Sequence, residues 1–404
     1  MFNIQAKSNN AALLDIGSDK ISCMVIKRSS MGQIEVLGFC EVESSGIRAG
    51  NIVDLAVAAK RISKVVEETE KISGTKIKKV YVNLASNNLI SDICQGSIDV
   101  SGREITTREL EKLLISALDK YKDQKVNVVH SFKYDYILDG KRGIVTPLGM
   151  YGELLTCYIH ALLVPSNILS NIQGCLARAN LEIEDYVSSS YASALACLSA
   201  DEMKLGTLLI EFGGGVTSFS VFSEGHMIFT DAIGIGGINV TNDIARALCM
   251  DFAASERVKR LHGNLLSNSK ESIEVDSLDD DEQYIVKLSS LKEIIKARVD
   301  ELLEFTMGKL EEREYMGISS RLVITGGASN LCSLKELLSY NYSLKVRSAQ
   351  QKVLKSDKFP QIYEPSSTCI VGMAVHAYNT RREIMHLNIG RREGFWGKVK
   401  DILF

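Results

Sequence analysis

Two acidic residues each close an apolar run and are followed, one apolar residue later, by glycine. The first run is Ala12-Leu13-Leu14-Asp15-Ile16-Gly17-Ser18 and the second is Thr207-Leu208-Leu209-Ile210-Glu211-Phe212-Gly213-Gly214-Gly215. A carboxylate at a strand end is a ligand for a hard cation, and glycines beside it let backbone N–H groups come close to an anion. The first turn also carries a hydroxyl, Ser18, and a cation, Lys20. Two such turns facing each other would clamp a polyphosphate together with its metal ion.

The elements that must position these residues repeat as well. After Asp15 come an apolar-alternating run at 21–26, a turn at 29–32 and a third run at 34–39; after Glu211 come runs at 218–222 and 227–232 around a turn at 223–225. Each copy predicts three antiparallel strands joined by hairpins. Further glycines follow (Gly46 and Gly50; Gly234, Gly236 and Gly237), and then a stretch of helical period. The two acids lie about half a chain apart, which makes this a duplicated α/β domain and not a short-period solenoid.

The paired turns resemble the phosphate 1 and phosphate 2 loops of the actin, Hsp70-type chaperone and sugar kinase superfamily. The stretches Ser45-Gly46-Ile47-Arg48-Ala49-Gly50-Asn51-Ile52-Val53-Asp54 and Thr146-Pro147-Leu148-Gly149-Met150-Tyr151-Gly152, with a basic aromatic C-terminus, resemble the FtsA family of bacterial division actins. That resemblance implies an actin-like, ribonuclease H-like fold with two lobes around a nucleotide cleft. It divides the chain into subdomain 1A at 1–83 and 163–204, an inserted 1C at 84–162, 2A at 205–249 and 317–378, 2B at 250–316, and a linker with an amphipathic membrane-targeting helix at 379–404.

It also implies cofactors, ATP and Mg²⁺. Asp15, Gly17, Ser18 and Lys20 would face the phosphates from one side and Glu211, Gly213, Gly214 and Gly215 from the other, with the metal between Asp15 and Glu211. Ala253-Ala254-Ser255-Glu256-Arg257-Val258-Lys259 resembles the nucleoside motif, in which Glu256 accepts ribose hydroxyls and Lys259 packs on the nucleoside. Gly326, Gly327 and Ala328 would form the adenosine motif. The hinge segment at 185–198 offers Ser188, Ser189 and Ser190 where active relatives often carry an acid or glutamine, and the second loop has Glu211 and Val216 where many relatives have Asp and Thr. Weak or absent ATP hydrolysis is therefore expected, with no catalytic residue assigned.

The implied partners are the FtsZ C-terminal peptide at 2B, further copies of this chain in filaments, and other division proteins through 1C. The chain would sit on the cytoplasmic face of the inner membrane at the division site. Related readings are a pilus-assembly scaffold, or a sugar or acid kinase or polyphosphatase of the same fold.

Between these motifs the periodicity predicts helices at 55–72, capped by Asp54, at 107–118 and at 239–248. A long helix at 285–310 is expected to bury Leu288, Leu291, Ile295, Leu302 and Phe305, and a polar loop is expected at 263–282. The insertion reads as short strands around its one clear helix.

With 404 residues, 45% hydrophobic and 24% charged, the chain can build more than one core. A net charge of −3 gives no footprint for nucleic acid, and nine cysteines without a Cys-x-x-Cys pair read as free thiols. No run of about 18 apolar residues is present, so membrane attachment would come from the surface side. The last residues supply a means: Phe395, Val399, Ile402 and Leu403 share a helical face, with Trp396 and Phe404 adding apolar surface and Lys398 and Lys400 charge for anionic lipid.

Overall fold

The computed structural model describes residues 10–29, 33–85, 87, 89–267, 269–276 and 283–386. The expected membrane-targeting helix at 394–404 lies outside the described residues.

The chain begins with three antiparallel strands, β1 (Asn10–Ile16), β2 (Lys20–Arg28) and β3 (Ile34–Glu43). The short β4 (Ile47–Arg48) and β5 (Asn51–Ile52) lead to helix α1 (Leu55–Ser73). The Asp54 carboxylate accepts the N–H groups of Ala56 and Val57, both at 3.0 Å, and Gly74 ends the helix in the left-handed conformation. Ala58, Ala59, Ile62, Val65 and Val66 form its buried stripe; each larger side chain contributes about 1.5–3 kcal/mol. Strand β6 (Lys79–Leu84) then lies parallel to β1.

Here the insertion starts. Strand β7 (Ile90–Asp99), helix α2 (Thr107–Leu118), β8 (Val126–Leu138) and β9 (Leu154–Pro165) form a separate three-stranded sheet in the order β7-β9-β8. The strands run 10 to 13 residues, longer than the sequence suggests. Their polar outer residues mask the ends, while Cys94, Leu155, Cys157, Ile159 and Leu163 pack with α2 in a core of their own.

Helix α3 (Ser166–Arg178) returns the chain to the first sheet, whose last strand is β10 (Glu182–Ser188). Helix α4 (Ser189–Cys197) follows directly, so the hinge segment at 185–198 is half strand, half helix. A short α5 (Ala200–Leu205) opens the second lobe.

That lobe repeats the first. Strands β11 (Thr207–Phe212), β12 (Thr217–Ser223) and β13 (His226–Ile233) form the antiparallel meander. They are followed by helices α6 (Gly237–Ala247) and α7 (Phe252–His262). The expected loop at 263–282 is partly a hairpin: β14 (Ser272–Asp276) pairs antiparallel with β15 (Gln283–Lys287). Helix α8 (Leu288–Glu312) buries Leu291, Ile295, Val299, Leu302, Leu303, Met307 and Leu310. Phe305, expected in that stripe, is 51% exposed, and Leu288 is only half-buried, because the true face follows 3.6-residue spacing through Val299 and Leu303. Strand β16 (Arg321–Thr325), helix α9 (Leu334–Tyr342) and β17 (Lys345–Ser348) complete the sheet, and α10 (Thr368–His386) closes the fold.

The sheet orders are β3-β2-β1-β6-β10 and β13-β12-β11-β16-β17, the same topology twice. In β1 successive side chains serve two cores. Ala12, Leu14 and Ile16 face α1 and α3, while Ala11 and Leu13 face α4 and α10. Burial on both faces explains the unbroken apolar runs that precede both acids.

Candidate functional site

Both glycine turns close with the same bond. Gly17 N–H donates to the Lys20 carbonyl at 3.0 Å, and Gly213 N–H donates to the Val216 carbonyl at 2.9 Å. The turns meet across the cleft. A Cβ added to Gly215 would lie 2.7 Å from the Ser18 side chain, and one on Gly214 would lie 2.6 Å from Asp19 Cβ. Only glycine permits this approach, and Gly50, whose N–H donates to Ser18 Oγ at 3.1 Å, crosses so near Ala85 that a Cβ there would overlap its carbonyl.

The enclosed space is about 110 Å³ and is lined by Asp15, Gly17, Ser18, Asp19 and Lys20 from one lobe and by Glu211, Gly213, Gly214, Gly215 and Val216 from the other. Asn83, Ser189, Gly326, Gly327 and Ser366 also line it. This is smaller than a whole small-molecule site, which spans roughly 300–1,000 Å³. It suits the charged end of a ligand, with the remainder outside or the loops parted.

Asp15 and Glu211 sit at the strand ends with their carboxyls buried. Burial pushes the Asp15 carboxyl up to about 6, against the pull of Lys20. Burial, and then the charge of Asp15, pushes Glu211 up to about 7. The Ser193 hydroxyl on α4 draws Glu211 back down, but neither Ser193 Oγ nor Glu211 Oε2 makes a well-formed hydrogen bond among the described residues. Two acids thus face one cavity, and one of their oxygens lacks a partner among the described residues, an arrangement to be tested against a cation. No group of three or more His, Cys, Asp or Glu among the described residues could hold a metal by itself. The arrangement fits Mg²⁺, which takes one or two carboxylates and completes its shell with phosphate oxygens and water.

Several site residues carried no signal in the sequence. Asn83 at the end of β6 accepts the Ile16 N–H at 2.7 Å and donates to Ser189 Oγ at 3.2 Å, tying the first turn to α4. Cys369, in the first turn of α10, sits beside the Asp15 carboxyl; burial, then the charges of Asp15 and Glu211, push its thiol well up and hold it protonated. Lys20 is paired with Glu41 and donates to Ser366 Oγ at 3.0 Å. These contacts arise from sheet register and chain crossing, which no local pattern announces.

Glu256, Lys259 and Ala328 stand beside the cavity and not on its lining. Glu256 takes Lys259 Nζ at 2.6 Å, Thr241 Oγ1 at 2.5 Å and Arg260 Nε at 2.7 Å. Lys259 Nζ also reaches the Gly237 carbonyl at 3.1 Å, and a Cβ on Gly237 would sit 3.1 Å from that of Ala328. Gly326 has φ +85, and a Cβ there would lie 2.4 Å from the Phe212 carbonyl, so the glycine seats the turn after β16 against β11. Gly327 meets only Ser366, at an ordinary 3.5 Å.

Residues 208–372 match the family model described as "Cell division protein FtsA", and residues 86–163 match "SHS2 domain inserted in FTSA". Similar curated proteins include the cell division protein FtsA of Agrobacterium fabrum, 36% identical over 347 residues, covering 82% of this chain and 78% of the relative. That of Pseudomonas aeruginosa is 31% identical over 338 residues, covering 83% and 81%. Among solved structures, the PilM–PilN type IV pilus biogenesis complex matches with TM-score 0.66 at 16% identity, over 91% of this chain and 98% of that one. An MreB5 of Spiroplasma citri bound to ADP matches with TM-score 0.57 at 12% identity, over 94% and 99%. At these identities the structural likeness shows an actin-like fold.

Proposed function

Since the chain belongs to the FtsA family of cell division proteins, we propose that it is an ATP-binding filament protein that tethers FtsZ to the membrane at the division site. The observation that supports nucleotide binding best is the meeting of two acid-tipped glycine turns, from duplicated sheets, over one cavity whose Glu211 oxygen is unsatisfied. Gly17, Ser18 and Lys20 would take the phosphates from the first lobe and Gly213, Gly214 and Gly215 from the second, with Asp15 and Glu211 toward Mg²⁺. When bound, Mg²⁺ neutralises phosphate charge between two carboxylates that otherwise repel each other. Glu256, Lys259, Gly326, Gly327 and Ala328 would hold the nucleoside, Glu256 exchanging its bond with Thr241 for ribose hydroxyls.

Because the two turns approach within contact distance, a triphosphate seated between them would spread them. Occupancy would thereby set the angle between lobes and the geometry that a neighbouring subunit meets. Hydrolysis is slow or absent in this reading, since the hinge helix offers the cavity only the Ser189 hydroxyl.

The FtsZ peptide would meet 2B, residues 250–316, whose helix α8 lines a groove against α6 with Ile294, Arg298 and Glu301. No helix among the described residues is long and apolar enough to cross a membrane. Lipid contact would fall to the C-terminal segment, where Phe395, Trp396, Val399, Ile402, Leu403 and Phe404 alternate with Lys398 and Lys400. One such segment binds reversibly, and many in a filament bind firmly.

Two measurements test this. A fluorescent ATP analogue titrated with and without Mg²⁺ should bind in a Mg²⁺-dependent way that Asp15→Asn abolishes. Co-sedimentation with anionic liposomes should depend on residues 394–404 and strengthen with Mg-ATP; equal pelleting of the full chain and one ending at Glu393 would remove the tether from the reading.

A further inference from the structure

The two halves of the cleft are built alike, and one pair of side chains breaks the likeness. Register places Asp15, Ser22 and Glu41 in one row across β1, β2 and β3. The same row of the second sheet reads Glu211, Ser218 and Ala232. The turn bonds align Lys20 with Val216. The first lobe thus has an ion pair, Lys20 with Glu41, where the second has valine and alanine. Since the second lobe forms the same meander without it, the fold itself does not require the pair.

Its position is informative. Lys20 lines the cavity with Asp15 and Glu211, whereas Glu41 does not. The Lys20 ammonium is bonded to Glu41 Oε1 and to Ser366 Oγ, and Glu41 Oε1 also accepts the Ser22 hydroxyl at 3.1 Å. Both side chains are 26% exposed, so the pair is only partly screened by solvent. An ammonium has three donors, and two are already engaged. An incoming phosphate must share the lysine with a carboxylate or displace it.

We propose that Glu41 is a positioning residue for the nucleotide, a built-in competitor that holds Lys20 at the loop and lowers the affinity of the site for polyphosphate so that nucleotide can exchange. This rests on the nucleotide-binding reading above. It assigns to this chain a control on affinity that sits outside the phosphate loops and acts only through one lysine.

The test is equilibrium binding of a fluorescent ATP analogue with Mg²⁺ to the full chain and to Glu41→Gln, Lys20→Met and the double variant. Glutamine keeps the length and an oxygen for Ser22 while removing the charge. Glu41→Gln should bind about tenfold tighter, as expected when one charge-assisted bond of Lys20 no longer has to be shared with a carboxylate. Lys20→Met should bind more weakly, and the double variant should match Lys20→Met, because the carboxylate works through the lysine. Glu41→Ala, which copies Ala232 of the second lobe, should shift affinity in the same direction and serves if the glutamine variant folds poorly. Unchanged or weaker binding by the Glu41 variants overturns the proposal, as does equal tightening in the Lys20→Met background. If Lys20→Met weakens binding while Glu41→Gln is silent, this inference alone fails. If the wild-type chain binds no nucleotide, the functional reading fails and this inference with it.

Discussion

His160 Nδ1 donates to the carbonyl of Met227 at 2.9 Å, joining β9 of the inserted sheet to β13, the edge strand of the second lobe. The carbonyl can only accept, which makes Nδ1 the protonated nitrogen and leaves Nε2 to accept from the Ser91 hydroxyl at 2.7 Å. Ser91 Oγ in turn accepts the Thr230 N–H at 3.3 Å. The insertion therefore satisfies backbone groups on an open sheet edge of the opposite lobe, and any rotation of the lobes must break or carry this contact.

The ring is fully buried, and burial pushes its pKa from 6.5 down to about 4, against the pull of the Met227 bond. A histidine depressed in the folded state is charged earlier in the unfolded chain, so its contribution is complete above pH 6.5 and is lost as pH falls toward 4. His160→Ala should cost about 2–4 kcal/mol at pH 7.5 in urea unfolding. The gap to wild type should narrow by about 2 kcal/mol at pH 5. A gap that does not change with pH would mean the ring is not held neutral.

The cleft acids and glycine turns were legible because each works within one continuous stretch, where strand, acid and turn must follow one another. Helices such as α1 and α2 were legible through their apolar period and caps. The hairpin β14–β15 was not, since Ile273 and Val275 alternate over only five residues among acids; that alternation was the signal available. Glu41, Asn83, Ser366 and Cys369 come to the site by register or by crossing from distant elements, and each is unremarkable in its own neighbourhood.

Glu211 should trade stability against ligand affinity. Its carboxyl is raised to about 7, so the folded chain holds that proton more tightly than the unfolded chain does. The stability this gives is present below pH 4.5 and is lost as pH rises through 7, leaving an uncompensated buried charge. Glu211→Gln should stabilise the ligand-free protein at pH 8, on the order of 2–3 kcal/mol, while weakening Mg²⁺-dependent nucleotide binding at least tenfold. Thermal melts with and without Mg-ATP would read both effects; destabilisation of the ligand-free chain would contradict the burial argument.

Arg347 on β17 donates from Nε and Nη2 to the two oxygens of Glu202, each at 2.7 Å, and from Nη2 to the Cys197 carbonyl at 2.8 Å. This fork joins the second sheet to α5, the third bond reaches the end of α4, and the Arg347 bonds draw the Glu202 carboxyl down to about 2. Lysine cannot reproduce a paired contact. Arg347→Lys should lower stability by about 1–2 kcal/mol near neutral pH, and the deficit should shrink as pH falls from 4.5 toward 2, where wild type loses the pair too.

Helices α4 and α10 cross with their backbones in contact at Gly372. A Cβ added there would lie 1.6 Å from the Ala192 carbonyl oxygen and 2.3 Å from its carbon. Helix propensity alone favours alanine over glycine by about 1 kcal/mol, so the two arguments predict opposite signs. Here packing must win, because a contact that close is relieved only by moving one helix. Movement would reach the site: Cys369 lies one turn before Gly372, and Ser189 and Ser193 flank Ala192 on α4. Gly372→Ala should therefore cost about 3 kcal/mol or more and weaken nucleotide binding as well. Gly174→Ala in α3 is the internal control, since a Cβ there meets nothing within 4 Å. It should gain roughly 0.5–1 kcal/mol and leave binding unchanged. Chemical denaturation of the two variants side by side decides the matter: if both gain stability, α4 and α10 do not cross as tightly as described, and Gly372 has no part in holding the cleft.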